Sequence, residues 1–395
     1  MKNEADHEPA ATVGASSVKP LPTVIHSLTS LRYLAAAWVL FFHFKEFFPE
    51  TALQQSNLTR YGFLGVDFFF VLSGFVLAHV YLPKIRARRF DYWSFLVRRI
   101  GRIYPLHIVT LVFTIGISLI GIALGWNYTL WNLGAWTELE SGAIIRALFA
   151  NLTLIHAWGA TPDLLFNLPS WSISAEWFAY LLFPVFVLFF SPLLNRPVLL
   201  TALCIVALVG LEAANGVATG NSLLQATWNL GALRIVPTFA LGIALYRLGE
   251  TRSLGARGSP IALAGAVIAL IAATLLAAPY VVIVLCLAGI VFLAADMERH
   301  GGLALLCQPF PVLLGEISYS VYLWHFPIGV VAFDIMLAGR GDVGSLGGIA
   351  MIFGVLAFIT LISWISYKFV EVPARAAIIA ASQGMVQQNR AAGNS

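Results

Sequence analysis

Charge is the first thing this sequence is short of. Of its 395 residues 11% are Asp, Glu, Lys or Arg and 59% are hydrophobic, against roughly 25% charged in an average soluble domain. So few charges cannot cover a water-facing surface, which excludes an ordinary soluble fold. Cysteine is scarce too. Cys204, Cys286 and Cys307 match no metal or disulfide spacing, and at least the first two lie in apolar runs, so they are packing residues. No G-x-S-x-G elbow is present for a serine acyl-enzyme. The stretch GRGDVG at 339–344 spells G-x-G-x-x-G, but it joins two apolar runs with no preceding strand, which removes the dinucleotide-binding reading. The net charge of +4 is explained by basic loops and calls for no nucleic-acid partner. Residues 1–25 lack the apolar h-region of a signal peptide; they and residues 379–395 are expected to be disordered cytoplasmic ends without an appended soluble domain.

Long apolar runs are what the sequence has instead. Stretches near 31–48, 62–82, 104–125, 171–191, 197–214, 230–248, 260–278, 279–297, 310–335 and 346–370 each have about the length that crosses a hydrocarbon core. The expected fold is an all-α integral membrane protein, with about ten spans inside one domain over 26–378. The run 143–155, AIIRALFANLTLI, is short and carries Arg146, so it is expected to be re-entrant or interfacial. Lys and Arg gather on the cytoplasmic side. Placing the basic loop 84–102, KIRARRFDYWSFLVRRIGR, inside makes 126–142, with no Lys or Arg, external. Both termini are then cytoplasmic, and a bacterial inner membrane is the expected location. Trp126, Tyr128, Trp131 and Trp136 of the external loop read as an interfacial belt.

Against this background a few ionisable residues stand out, because such side chains inside spans are costly and usually face a polar interior or pathway. Arg32 and His43 are eleven residues apart, close to three helical turns and about 16 Å of rise, so they share one face. Arg32 belongs near the cytoplasmic surface and His43 deeper. Arg99 and Arg102 share a helix face by their spacing, beside Arg98. Glu176 and Asp67 compete as the carboxylate at the depth of His43; Glu176 is preferred as its orienting partner or as an acceptor ligand, and Asp67 is read as structural or as a residue that supports the site from behind. Tyr322 and His325 are i, i+3 neighbours, and Pro327 should kink their span and turn backbone carbonyls toward a cavity. His79, His107, His156 and His300 read as structural.

The arrangement R-x10-H over Arg32 to His43 resembles the opening signature of the acyltransferase-3 family of membrane acyltransferases. FLGVDFFFVLSGFVL at 63–77, FLVRRIGRIYP at 95–105, LPSWSISAEWFAYLLFP at 168–184, SYSVYLWHFPI at 318–328 and FVEVP at 369–373 resemble that family's further blocks, in its order. The resemblance implies an enzyme that moves an acyl group, usually acetyl, from cytoplasmic acyl-CoA to a hydroxyl of an envelope or exported glycan or lipid-linked sugar, with no permanently bound cofactor and no metal. An acyl-CoA carries phosphates at one end and a thioester at the other. Guanidinium forks suit phosphate, so Arg99, Arg102 and Arg98 are the candidate donor site, with Arg32 completing the cluster or orienting the arm. His43 is the candidate general base or acyl carrier; Trp171, Ser174, Tyr322 and His325 are the candidate acceptor contacts. The rival class is a proton-coupled transporter using His43, Glu176 and His325 as a relay, against which stands the absence of a second copy of the R-x10-H or W-S-x-S-x-E block.

Overall fold

The computed structural model describes residues 18–47, 55–125, 140–161, 163–335 and 345–392. The 126–136 aromatics, the GRGDVG stretch at 339–344 and residues 1–17 lie outside them. Every regular element among the described residues is helical. The helices that matter here are α1 His26–Phe44, α2 Gly65–Arg86, α3 Tyr92–Leu124, α4 Ser141–Leu152, α5 Trp171–Phe190, α6 Pro197–Thr219, α7 Gly231–Thr251, α8 Gly255–Leu275, α9 Tyr280–Glu298, α10 Pro309–Glu316, α11 Ser318–Val330, α12 Ser345–Ser366 and α13 Val372–Ala392.

Among the described residues eight helical stretches are long and apolar enough to cross a membrane, those containing α2, α3, α5, α6, α7, α8, α9 and α12, and the chain is a multi-pass membrane protein. The other two expected spans take different forms. The 310–335 run is broken between α10 and α11 and ends in a π turn, Val331–Ile335. Residues 31–44 of the 31–48 run lie in α1, whose 19 residues carry Ser27, Thr29, Ser30, Arg32 and His43. The 143–155 run is the short helix α4 of 12 residues. α13 continues to Ala392 where an unstructured tail is expected from 379, because this stretch is rich in Ala, Gln and other strong helix formers.

Caps and close crossings set the frame. Asp91 accepts the Ser94 N–H at 2.8 Å and starts α3, and Gly125, in the left-handed region at φ 65°, ends it. α1 has no capping side chain of its own; its first N–H groups, those of His26 and Ser27, donate to the Glu298 carboxylate at the end of α9, both at 3.0 Å. α2 crosses α7 closely. A Cβ at Gly74 would stand 2.1 Å from the Phe239 carbonyl oxygen, and one at Gly242 2.0 Å from that of Val71, so the two backbones touch as small residues allow. The same pair of helices carries a buried ion pair. Arg234 of α7 donates through Nη2 to Asp67 Oδ2 at 2.6 Å and through Nε to Oδ1 at 3.3 Å, and through Nη1 to the Ala226 carbonyl. Asp67 thus ties α2 to α7. Losing either partner would leave an uncompensated buried charge.

α11 is buried along its whole length, although it holds Ser318, Tyr319, Ser320, Tyr322 and His325. Buried polar groups need partners, and each of these has one: the carbonyls of Gly315, Ile103, Pro169 and Tyr322, and the Glu371 carboxylate. Pro327 lacks the N–H that would bond the Leu323 carbonyl. That oxygen accepts Asn167 Nδ2 at 3.0 Å instead, so it is satisfied by a neighbouring side chain and is not turned toward a cavity.

Candidate active site

A cavity of about 270 Å³ lies among α1, α2, α3, α5 and α11. At one end it reaches the exposed residues Thr23, Val24 and Val80; at the other it ends on Tyr322 and Ser172. Arg32, Arg99, Arg102 and Glu176 all line it, so three cations face one carboxylate. None of the three arginines forms an ion pair among the described residues. Arg99 stands over the rings of Tyr81, Phe95 and Tyr180, 5.7–6.0 Å from their centroids, and its Nε is buried without a hydrogen-bond partner. Arg102 stands over Tyr319 at 6.0 Å. These aromatic faces hold the guanidinium groups by cation–π attraction while leaving N–H donors unused.

Glu176 is in this cationic chamber and not beside His43. Its Oε1 accepts the Ser73 hydroxyl at 2.5 Å and also the Tyr180 hydroxyl. The expectation that Glu176 orients His43 is therefore corrected. The partner of His43 is His325: His325 Nε2 lies 3.2 Å from His43 Nδ1, with ring centroids 5.0 Å apart.

The hydrogen bonds assign the tautomers. His325 Nδ1 is 2.5 Å from the Tyr322 carbonyl oxygen, which can only accept, so Nδ1 carries the proton and neutral His325 offers a lone pair at Nε2. His43 Nδ1 is 2.9 Å from the Val39 carbonyl oxygen, so it too carries a proton, shared between Val39 and His325. The His43 lone pair is left on Nε2, which has no partner among the described residues. That nitrogen is the basic atom of the pair. Tyr322 joins the two parts of the site: it lines the cavity, its hydroxyl lies 2.7 Å from Ser172 Oγ and donates to the Pro169 carbonyl, and its ring centroid is 5.6 Å from that of His325.

Other expected contacts lie elsewhere. Arg98 is exposed, away from the cavity lining, because one residue along a helix turns a side chain about 100° from Arg99. Trp171 packs its ring 4.9 Å from the Arg234 guanidinium, covering the Asp67–Arg234 pair. Ser174 donates to the Leu154 carbonyl at 2.8 Å and accepts the Ala157 N–H, tying the 153–160 loop to α5. Neither faces the cavity. Ser73, Tyr180 and Tyr319 were not anticipated. Tyr180 alone carried a signal, its i, i+4 spacing from Glu176.

Fold and site define a multi-pass membrane protein with a cationic cavity that ends on Tyr322, whose ring packs against one member of a histidine pair. The chain belongs to the acyltransferase-3 family of membrane O-acyltransferases, whose acyltransferase-domain model matches residues 25–368. It is 30% identical over 327 residues to "Acyltransferase MdmB" of Streptomyces mycarofaciens, covering 76% of this chain and 78% of that protein. It is 24% identical over 380 residues to "O-acetyltransferase OatA" of Staphylococcus aureus (strain NCTC 8325 / PS 47), covering 90% of this chain and 58% of that longer protein. No solved structure matches the chain. These likenesses do not favour the transporter reading.

Proposed function

We propose that the protein transfers an acyl group, acetyl in the first instance, from cytoplasmic acyl-CoA to a hydroxyl of an envelope or exported glycan, in a bacterial inner membrane. The observation that carries the proposal is the charge imbalance of the cavity. Arg32, Arg99 and Arg102 line it with Glu176 as the one carboxylate among the described lining residues, and a cleft walled by an excess of cations calls for an anion. The phosphates of the donor match it, held by Arg99 and Arg102 with paired N–H donors. The thin arm of the donor then extends past Ser172 and Tyr322 toward His43, three turns beyond Arg32 on the same helix.

At that end the acceptor hydroxyl attacks the thioester carbon. The new C–O bond forms and the C–S bond breaks. His43 Nε2 takes the hydroxyl proton and returns it to the departing sulfur, so ester and free thiol leave with no net proton change. His325 holds the His43 Nδ1–H and steadies the imidazolium that forms between the two proton transfers. Should His43 carry the acyl group instead, the same Nε2 is the attacking atom.

The donor assignment is tested through binding. A phosphate contact acts in ground and transition states alike, so Arg99→Ala and Arg102→Ala should raise the KM for acetyl-CoA more than they lower kcat. Each charge-assisted hydrogen bond lost should cost about 1.5–3 kcal/mol. An unchanged donor KM in both variants, with the acceptor KM raised, would move the acceptor into the arginine chamber and overturn the proposal.

A further inference from the structure

Two charged residues, Glu371 within the FVEVP block and Arg375 just after it, have no part in the transfer step above. Glu371 ends a π turn, Tyr367–Glu371, between α12 and α13. The turn has a local cause. Pro373 has no N–H to give the Phe369 carbonyl, and the helix widens there. Glu371 is 1% exposed; one oxygen accepts the Ser320 hydroxyl, and Oε2 has no hydrogen-bond partner.

Arg375 follows Glu371 by four residues, one turn on the same face. Its side chain packs against α3 where that helix has no side chain of its own: a Cβ at Gly101 would meet Arg375 Cγ at 3.5 Å and Cα at 3.6 Å. Gly101 is the residue before Arg102. Arg375 is thereby within electrostatic reach of Arg102, Arg99 and Glu371, and Glu371 within reach of Arg102, Arg375 and Arg32. Arg375 Nε and Nη2 are buried and unpartnered, as is Arg99 Nε.

Four arginines, Arg32, Arg99, Arg102 and Arg375, thus gather around two carboxylates, Glu176 and Glu371. Buried N–H donors without acceptors and like charges in mutual reach are both unfavourable. A bound polyanion relieves both at once. We propose that Arg375 is a binding residue for the phosphate groups of the donor, and that Glu371, fixed by Ser320 and presented by the π turn, positions it. This rests on acyl-CoA being the donor.

The test is CoA binding by the full-length protein in detergent, followed by isothermal titration for wild type, Arg375→Gln and Arg375→Lys. Arg375→Gln should weaken CoA binding at least about tenfold, Arg375→Lys should recover part of the loss, and in turnover the effect should fall on the KM for acetyl-CoA more than on kcat. Should the Gln variant fail to fold, CoA should slow modification of Arg375 by phenylglyoxal in the wild-type protein, read by peptide mass spectrometry. Wild type that binds CoA, with equal affinity in Arg375→Gln or with no protection of Arg375, would overturn this inference and leave the donor reading standing. Wild type that does not bind CoA at all would overturn the donor reading itself.

Discussion

His43→Ala is expected to lower acyl transfer by about 10²- to 10⁴-fold, the range a positioned general base contributes, with the protein still folded and present in membranes at wild-type level. His43 is half-buried, its hydrogen-bond partner on another helix is His325 and its ring touches Phe326 beside it, so its removal takes away mainly chemistry. Transfer of labelled acetyl in membranes matched for protein checks this, and activity within twofold of wild type would remove His43 from the reaction. The same preparation distinguishes the two roles of the residue. Label retained on the wild-type protein in the absence of acceptor, and missing from His43→Ala, identifies an acyl carrier. Absence of label from both identifies a base.

The second large effect belongs to His325, the positioning residue. Its Nε2 accepts the His43 Nδ1–H, which keeps the His43 lone pair on Nε2. His325→Ala removes that acceptor and frees the ring of His43 to turn, so kcat should fall about 10²-fold, the lower bound of the general-base contribution. The KM for acetyl-CoA should stay within about twofold, because His325 lies beyond the arginine chamber and does not line it. His325→Gln, whose amide oxygen accepts a hydrogen bond, should recover part of the loss. A change in KM equal to that in kcat, with no recovery in the Gln variant, would mean that His325 only fills space.

What was legible in the sequence was local. The apolar runs announce themselves by length, and the R-x10-H and R-x-x-R spacings place Arg32 above His43 and Arg99 beside Arg102 through helical geometry alone. Relations between helices were not legible. The place of Glu176 near the start of its span gives its depth but not the helix it faces. In the structure the first turn of α5 already meets Tyr322, through Ser172, and Glu176, four residues later, is a turn further toward the arginines. Asp67 and Arg234 are separated by 167 positions, and nothing near either names the other; that each is a lone charge in an apolar run was the available hint. The R-x-x-R spacing sets Arg99 with Arg102 and apart from Arg98, and the packing of α3 puts that face on the cavity. Arg375 reads as one more cation at a membrane boundary until α13 is seen lying on Gly101.

The central claim is that donor and acceptor meet from opposite ends of one path, with phosphates at Arg99 and Arg102 and the hydroxyl at His43. Sealed inside-out vesicles carrying the protein, loaded with glycan acceptor in the lumen and given labelled acetyl-CoA only in the bath, test it most directly. The account predicts labelled glycan inside the vesicles, lost in His43→Ala and shifted to higher acetyl-CoA concentration in Arg99→Ala. Product that forms only when acceptor and acetyl-CoA share the bath would contradict it.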